Sequence, residues 1–205
     1  MILQCENFIN GEPCVPVNGN FMSVENPATG QVIGNVAIST HEDVENAIKY
    51  AKLAMPTWSA LTVKSRAAIM LKFHALMMKH ADELADLVVM ENGKNKSEAL
   101  ASVMKGNETV EYACSMPQLI QGKTLAVSRG ITCQETRDPL GIVVSIVPFN
   151  FPVMVPMWTI PIALTAGNCV ILKPSEKVTF RVSSYFFPLT VNTFFSFYFA
   201  RCQLL

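Results

Sequence analysis

The chain has 205 residues, half of them hydrophobic, and its sixteen Lys and Arg balance sixteen Asp and Glu to a formal net charge of zero. That length suits one domain with a real core, or one and a half, and the charge balance excludes a phosphate-binding surface spread over the whole molecule, so nucleic acid is not an expected partner. The six cysteines, Cys5, Cys14, Cys114, Cys133, Cys169 and Cys202, have neither CxxC nor Cys/His ligand spacing, which points to reduced thiols in an intracellular protein and to no metal site.

The opening "MILQCENFINGEPC" has neither a signal peptide's apolar stretch nor an Arg/Ser-rich presequence, so the expected location is the cytoplasm, or mitochondria if the true start lies elsewhere. To about residue 38, "NG" at 10–11 and 18–19 and "NPATG" at 26–30 predict short strands joined by tight turns. Thr40 and Asp43 form a capping-box pattern, and Val44, Ala47, Ile48, Ala51 and Ala54 fall on one helical face that Pro56 is expected to end. A second helix is predicted from about Lys64 to His80, with Ile69, Phe73, Leu76 and Met77 inward. A third begins near Asp82, carries Leu84, Leu87 and Val88, and stops at "ENGKN". "SEALASVMKGNETVEYACSMPQLIQ" reads as a fourth. Two apolar-alternating runs around Arg129 and Gly130 then predict a β-hairpin.

The region after the hairpin sets the fold class. "GIVVSIV" at 141–147 is the β-branched run of a parallel strand buried on both faces, "VPMWTIPIALTAG" is a proline-punctuated helix, and "NCVILK" is a second buried strand. Strand, crossover helix and strand make a βαβ unit, the start of a doubly wound parallel sheet in an α/β protein. With only two strands, that sheet has an unpaired edge and an uncovered face, and marginal stability is expected. The predicted organisation is an N-terminal arm and helical part (1–121), the hairpin (122–140), the βαβ unit (141–178) and a divergent Phe-rich tail (179–205).

In open α/β sheets, ligands bind beyond the carboxyl ends of the strands. Two turns lie there, "PFNFP" at 148–152 and "KPSEK" at 173–177. Asn150 is the polar group of an apolar, proline-stiffened turn, and its amide has the chemistry to donate to a developing oxyanion; the alternative is that it satisfies its own turn backbone. Lys173 and Glu176 offer the donor and the acceptor that a ribose diol requires, or they open a surface helix capped by Ser175. No GxGxxG is present, so a nucleotide would bind here without a glycine-cradled pyrophosphate.

"PLGIVVSIVPFNFPVMVPMWTIPIALTAGNCVILKPSEK" resembles the aldehyde dehydrogenase superfamily, whose first cofactor-domain strand ends in a P-W/F-N-F-P turn and whose next ends in K-P-S-E. With "FINGE", "NPATG", "ENGKN" and "VEYAC", the chain resembles the methylmalonate-semialdehyde dehydrogenase (CoA-acylating) branch, from about Phe8 to Val178, as the N-terminal part of a much longer family chain.

The resemblance implies NAD as cofactor, CoA as co-substrate and a small aldehyde as substrate. It implies that Asn150 is the side-chain donor of the oxyanion hole and that Val147, Pro148 and Phe149 line the nicotinamide end of the cofactor. Lys173, Glu176 and Lys177 would bind the adenosine ribose, with Ser175 in the same turn. It implies that the hairpin serves oligomerisation, either of this chain with itself or with the full-length enzyme. Lys105 stands where the branch has an Arg facing the substrate carboxylate, and Lys keeps that charge without bidentate recognition. The family's nucleophilic cysteine and assisting glutamate lie downstream of the K-P-S-E turn, so this segment is expected to be inactive alone. A non-catalytic short isoform is the alternative.

From Thr179 the tail holds seven of the twelve Phe and only two charges, Arg181 and Arg201. The nineteen residues between those arginines approach the roughly 20 of a membrane helix. Pro188, Asn192 and several Ser and Thr argue against a span, so a membrane is not the expected partner.

Overall fold

A computed structural model describes residues 3–177 and the backbone at 200–201; the expectation that the tail does not span a membrane lies outside the described residues. The arm forms five strands, β1 (Leu3–Cys5), β2 (Asn7–Ile9), β3 (Glu12–Cys14), β4 (Phe21–Glu25) and β5 (Val32–Ala37). β2 and β3 pair antiparallel, and Asn10 and Gly11 between them have φ of 58° and 81°. Both values are left-handed, as a two-residue turn matching the strand twist requires, and Asn-Gly is the pair that tolerates them. β5 lies between β1, parallel to it, and β4, antiparallel to it.

Helix α1 (His41–Ser59) starts at the capping box: the Thr40 hydroxyl accepts from the Asp43 N–H, and the Asp43 carboxylate accepts from the Thr40 N–H at 2.7 Å. Asp43 is buried and also accepts from the Val17 N–H at 3.1 Å, so the residue that starts the helix also ties down the arm. Ala47, Ala51 and Ala54 face the sheet. Their small side chains let the helix lie close to the strands.

Pro56 does not end α1, which runs one turn further. The ring removes only one backbone donor, and tertiary bonds hold the last turn. Buried Trp58 donates its indole N–H to the Leu164 carbonyl at 3.0 Å. The buried guanidinium of Arg66 donates to the carbonyls of Ser59 (3.2 Å) and Leu61 and, across the core, to that of Thr165 (2.9 Å).

Helices α2 (Val63–Lys79), α3 (Ala81–Asn92), α4 (Lys96–Cys114) and the short α5 (Met116–Leu119) follow. The predicted fourth helix is thus two, divided at Ser115 immediately before the turn that contains Pro117. The inward face of α2 is set by Met70, Phe73 and Met77, with Ile69 and Leu76 only partly covered. Hairpin strands β6 (Thr124–Ser128) and β7 (Ile131–Gln134) pair antiparallel, and every residue in them is exposed.

Strands β8 (Ile142–Ile146) and β9 (Cys169–Lys173) pair parallel in register Ile142↔Cys169 to Ile146↔Lys173, joined by α6 (Met154–Thr165). A two-residue strand, β10 (Ala200–Arg201), pairs parallel with the other edge of β9. Val170 and Leu172 face α6 and join Met70, Phe73, Leu84, Val88, Val103, Val110 and Met157 in the main core, each such burial contributing roughly 1.5–3 kcal/mol. Helices α4 and α6 approach closely at Gly106, where a Cβ would lie 3.1 Å from the Met154 Cα.

The expectation of burial on both faces holds for β9 but not for β8: Val144 and Ile146 are 59% and 74% exposed. α6 covers the Val143 and Ser145 face, where the Ser145 and Thr159 hydroxyls lie 2.7 Å apart. On the opposite face α1 reaches only as far as Ile142. Among the described residues, no helix is long and apolar enough to cross a membrane.

Candidate functional site at the ends of β8 and β9

The parallel register carries the two strands out of the sheet side by side, and the last bond of the ladder runs from the Val147 N–H to the Lys173 carbonyl at 3.1 Å. Beyond it the chains diverge into "PFNFP" and "KPSEK". A cavity of about 990 Å³ opens between these turns, the C-terminal end of α3 and the edge of β4. Met22, Val24, Pro27 and Ile38 give it an apolar wall, and Phe149, Asn150, Lys173, Glu176 and Lys177 line the side toward the strand ends.

Five of the residues singled out from the sequence therefore meet in one cavity, and four do not line it. Val147 is 6% exposed and packs into the main core, while Pro148 is exposed outside the lining. Ser175 is buried, and its hydroxyl accepts from the Lys177 N–H at 3.3 Å, which shapes the turn rather than facing the space. Lys105 lies on the exposed side of α4 in an ion pair with Glu108 at 2.6 Å.

Lys173 and Glu176 stand 3.7 Å apart, with the carboxylate about a third exposed. A donor and an acceptor held at that spacing present both halves of a diol-binding pair to the cavity.

Asn150 does not use its side chain to satisfy its turn: among the described residues its amide makes no hydrogen bond. Instead, the turn's carbonyls are served from α3. The Asn92 side-chain amide donates to the Phe149 carbonyl at 2.9 Å, and the Lys94 ammonium donates to the Asn150 carbonyl at 2.5 Å. The same ammonium lies 3.7 Å from the centre of the Phe151 ring, and that of Lys177 lies 5.2 Å from the Phe149 ring, both within cation–π range. Burial lowers the Lys94 pKa, and Glu98 opposes the shift.

Sequence reasoning missed Asn92 and Lys94. The local signal in "ENGKN" is that of a helix stop, which it is: Gly93 at φ 77° turns the chain out of α3. The acceptors lie 57 and 56 residues further along, beyond the reach of any local pattern.

The profile of the aldehyde dehydrogenase family matches residues 15–189, and the chain belongs to that family. It is 45% identical over 173 residues to malonate-semialdehyde dehydrogenase 1 of Geobacillus kaustophilus (strain HTA426), covering 84% of this chain and 36% of the relative. It is 44% identical over 177 residues to the malonate-semialdehyde dehydrogenase of Bacillus subtilis (strain 168), again covering 36% of the relative. Its structure resembles that of a methylmalonate-semialdehyde dehydrogenase from Oceanimonas doudoroffii with a TM-score of 0.91 and 34% identity, covering 99% of this chain and 42% of the other. The chain thus spans little more than a third of the length of these curated relatives.

Proposed function

We propose that this chain contributes the ribose-binding part of an NAD site and one donor of the oxyanion hole to an NAD-dependent, CoA-acylating dehydrogenase of malonate or methylmalonate semialdehyde. The observation that carries the reading is the cavity beyond β8 and β9, lined by the Lys173–Glu176 pair and by Asn150, whose amide makes no hydrogen bond among the described residues. The curated relatives act, by name, on malonate semialdehyde, which supports the substrate class.

In this reading Glu176 accepts and Lys173 donates at the ribose hydroxyls. Asn150 donates to the aldehyde oxygen as negative charge gathers on it. Such a donor, fixed in place before the reaction, contributes on the order of 3 kcal/mol to the barrier. NAD, held through its ribose by Lys173 and Glu176, would supply the hydride acceptor of the oxidation.

The reaction also requires a cysteine thiolate. No cysteine lines the cavity, and burial raises the thiol pKa of Cys114 and, to about 11, that of Cys169. Because none of the described cysteines lines the cavity, the nucleophile in this reading is supplied from elsewhere in the assembled enzyme. The exposed hairpin, with Leu125, Val127 and Ile131 each at least half exposed, is the surface through which a second chain pairs. Leu125→Lys is expected to lower the oligomeric mass seen by light scattering.

Calorimetric titration of the chain with NAD tests the cofactor reading. Binding is expected, and Glu176→Gln is expected to weaken it roughly ten- to a hundredfold, the equivalent of about 1.5–3 kcal/mol for one charge-assisted hydrogen bond. Absence of NAD binding, or equal binding by Glu176→Gln, would overturn it.

A further inference from the structure

We infer that Asn92 and Lys94 are positioning residues, which clamp the 149–151 turn to the end of α3 and so hold the Asn150 amide toward the cavity; this rests on the reading of Asn150 as the oxyanion donor. β8 ends at Ile146 and the ladder's last bond is made by Val147, so the carbonyls of Phe149 and Asn150 have no strand partner within the sheet. A turn left in that state would recruit its own asparagine side chain or water.

Two consecutive carbonyls are instead taken by two side chains that flank Gly93, at 2.9 and 2.5 Å, and the Lys94 ammonium also covers the Phe151 ring at 3.7 Å. Three successive residues of the turn are thereby fixed from outside. The Lys94 bond is charge-assisted and the stronger of the two. The anchor itself is rigid, because α3 is packed into the core through Leu84 and Val88, both essentially unexposed. The helix stop places both donors, and the clamp leaves the Asn150 amide free for a ligand.

The test is nitrogen-15 relaxation on the full chain, with amide exchange at Val170–Leu172 reporting whether the fold persists. In the Asn92→Ala/Lys94→Met double variant, backbone order parameters at 149–151 are expected to fall from about 0.85 to below about 0.6, with the Asn150 side-chain amide signal sharpening in step. Lys94→Arg is expected to restore both, since a guanidinium can donate to the same carbonyl and cover the same ring. Order parameters that stay at their starting values while the fold persists would overturn the clamp. Should the double variant lose its core protection, the single Asn92→Ala change, at a partly buried side chain, decides on the same criterion. An unmodified chain that binds no NAD overturns the cofactor reading, while the relaxation result still decides the clamp.

Discussion

Strands β8 and β9 are both mostly apolar and lie side by side, yet their surroundings differ. The residues of β9 from Cys169 to Leu172 are all buried, between α1 on one face and α6 on the other, whereas Val144 and Ile146 of β8 face outward with more than half of their surface exposed. A β-branched run reports that a strand is suited to burial; how far each covering helix reaches decides which residues are buried. α1, seated on its Ala47, Ala51 and Ala54 face, passes over Ile171, Cys169 and the first residue of β8 and goes no further.

If burial rather than composition separates the strands, equivalent substitutions will have unequal costs. Leu172→Ala on β9 is expected to lower stability by about 2–5 kcal/mol, the usual range for emptying a packed leucine site, as measured by urea unfolding. A cost under about 1 kcal/mol would show that β9 is no better packed than its neighbour.

The second effect is one of pH. Burial holds the Cys169 thiol at about 11, against an ordinary value of 9.0. The folded chain therefore keeps a proton there that the unfolded chain gives up, and stability is full below pH 9 and lost as pH rises toward 11. The loss should be at most about 3 kcal/mol, given roughly 1.36 kcal/mol per pKa unit over two units. Unfolding curves of the wild type and Cys169→Ala, compared between pH 8 and 11, should converge if this thiol is the source; parallel curves would rule it out.

Thr40→Ala removes the hydroxyl that caps α1, the helix that covers β9, and is expected to cost about 1 kcal/mol. Since Asp43 also holds the Val17 N–H, amide exchange at Val17 should stay protected in that variant, and rapid exchange there would show that the arm depends on the cap. The smallest effect is expected on β8: Val144→Thr and Ile146→Thr keep the β-branch on an exposed face and should change stability by no more than about 0.5 kcal/mol. A cost comparable with Leu172→Ala would mean that this face is covered in solution.

Features encoded within a few residues were legible in advance. The capping pair Thr40 and Asp43, the Asn10–Gly11 turn, the stop at Gly93 and the hairpin around Gly130 each depend on chemistry contained in one short stretch. The cavity was legible through a rule of topology, since parallel strands joined by a right-handed crossover bring the residues after Ile146 and Lys173 to the same end of the sheet. Contacts between distant segments were not. Pro56 reads as a terminator until Trp58 is seen to bond to Leu164 and Arg66 to the carbonyls past it. Phe149 and Asn150 give no sign that their carbonyls are held by Asn92 and Lys94. Lys105 stands out only through the family resemblance, and in the fold it forms an ion pair with Glu108.

The Arg66 guanidinium joins the last turns of α1 and α6, the two helices that enclose the sheet. With that junction at its far end and the 149–151 turn just before its first residue, α6 works as a strut. Its twelve residues span about 18 Å at 1.5 Å per residue. A helix tethered at both ends resists sliding along its axis, and shear of α1 against α6 would first have to break the Arg66 bonds. Loosening the arginine junction would be felt as lost stiffness at the opposite end of the strut, where the cavity opens.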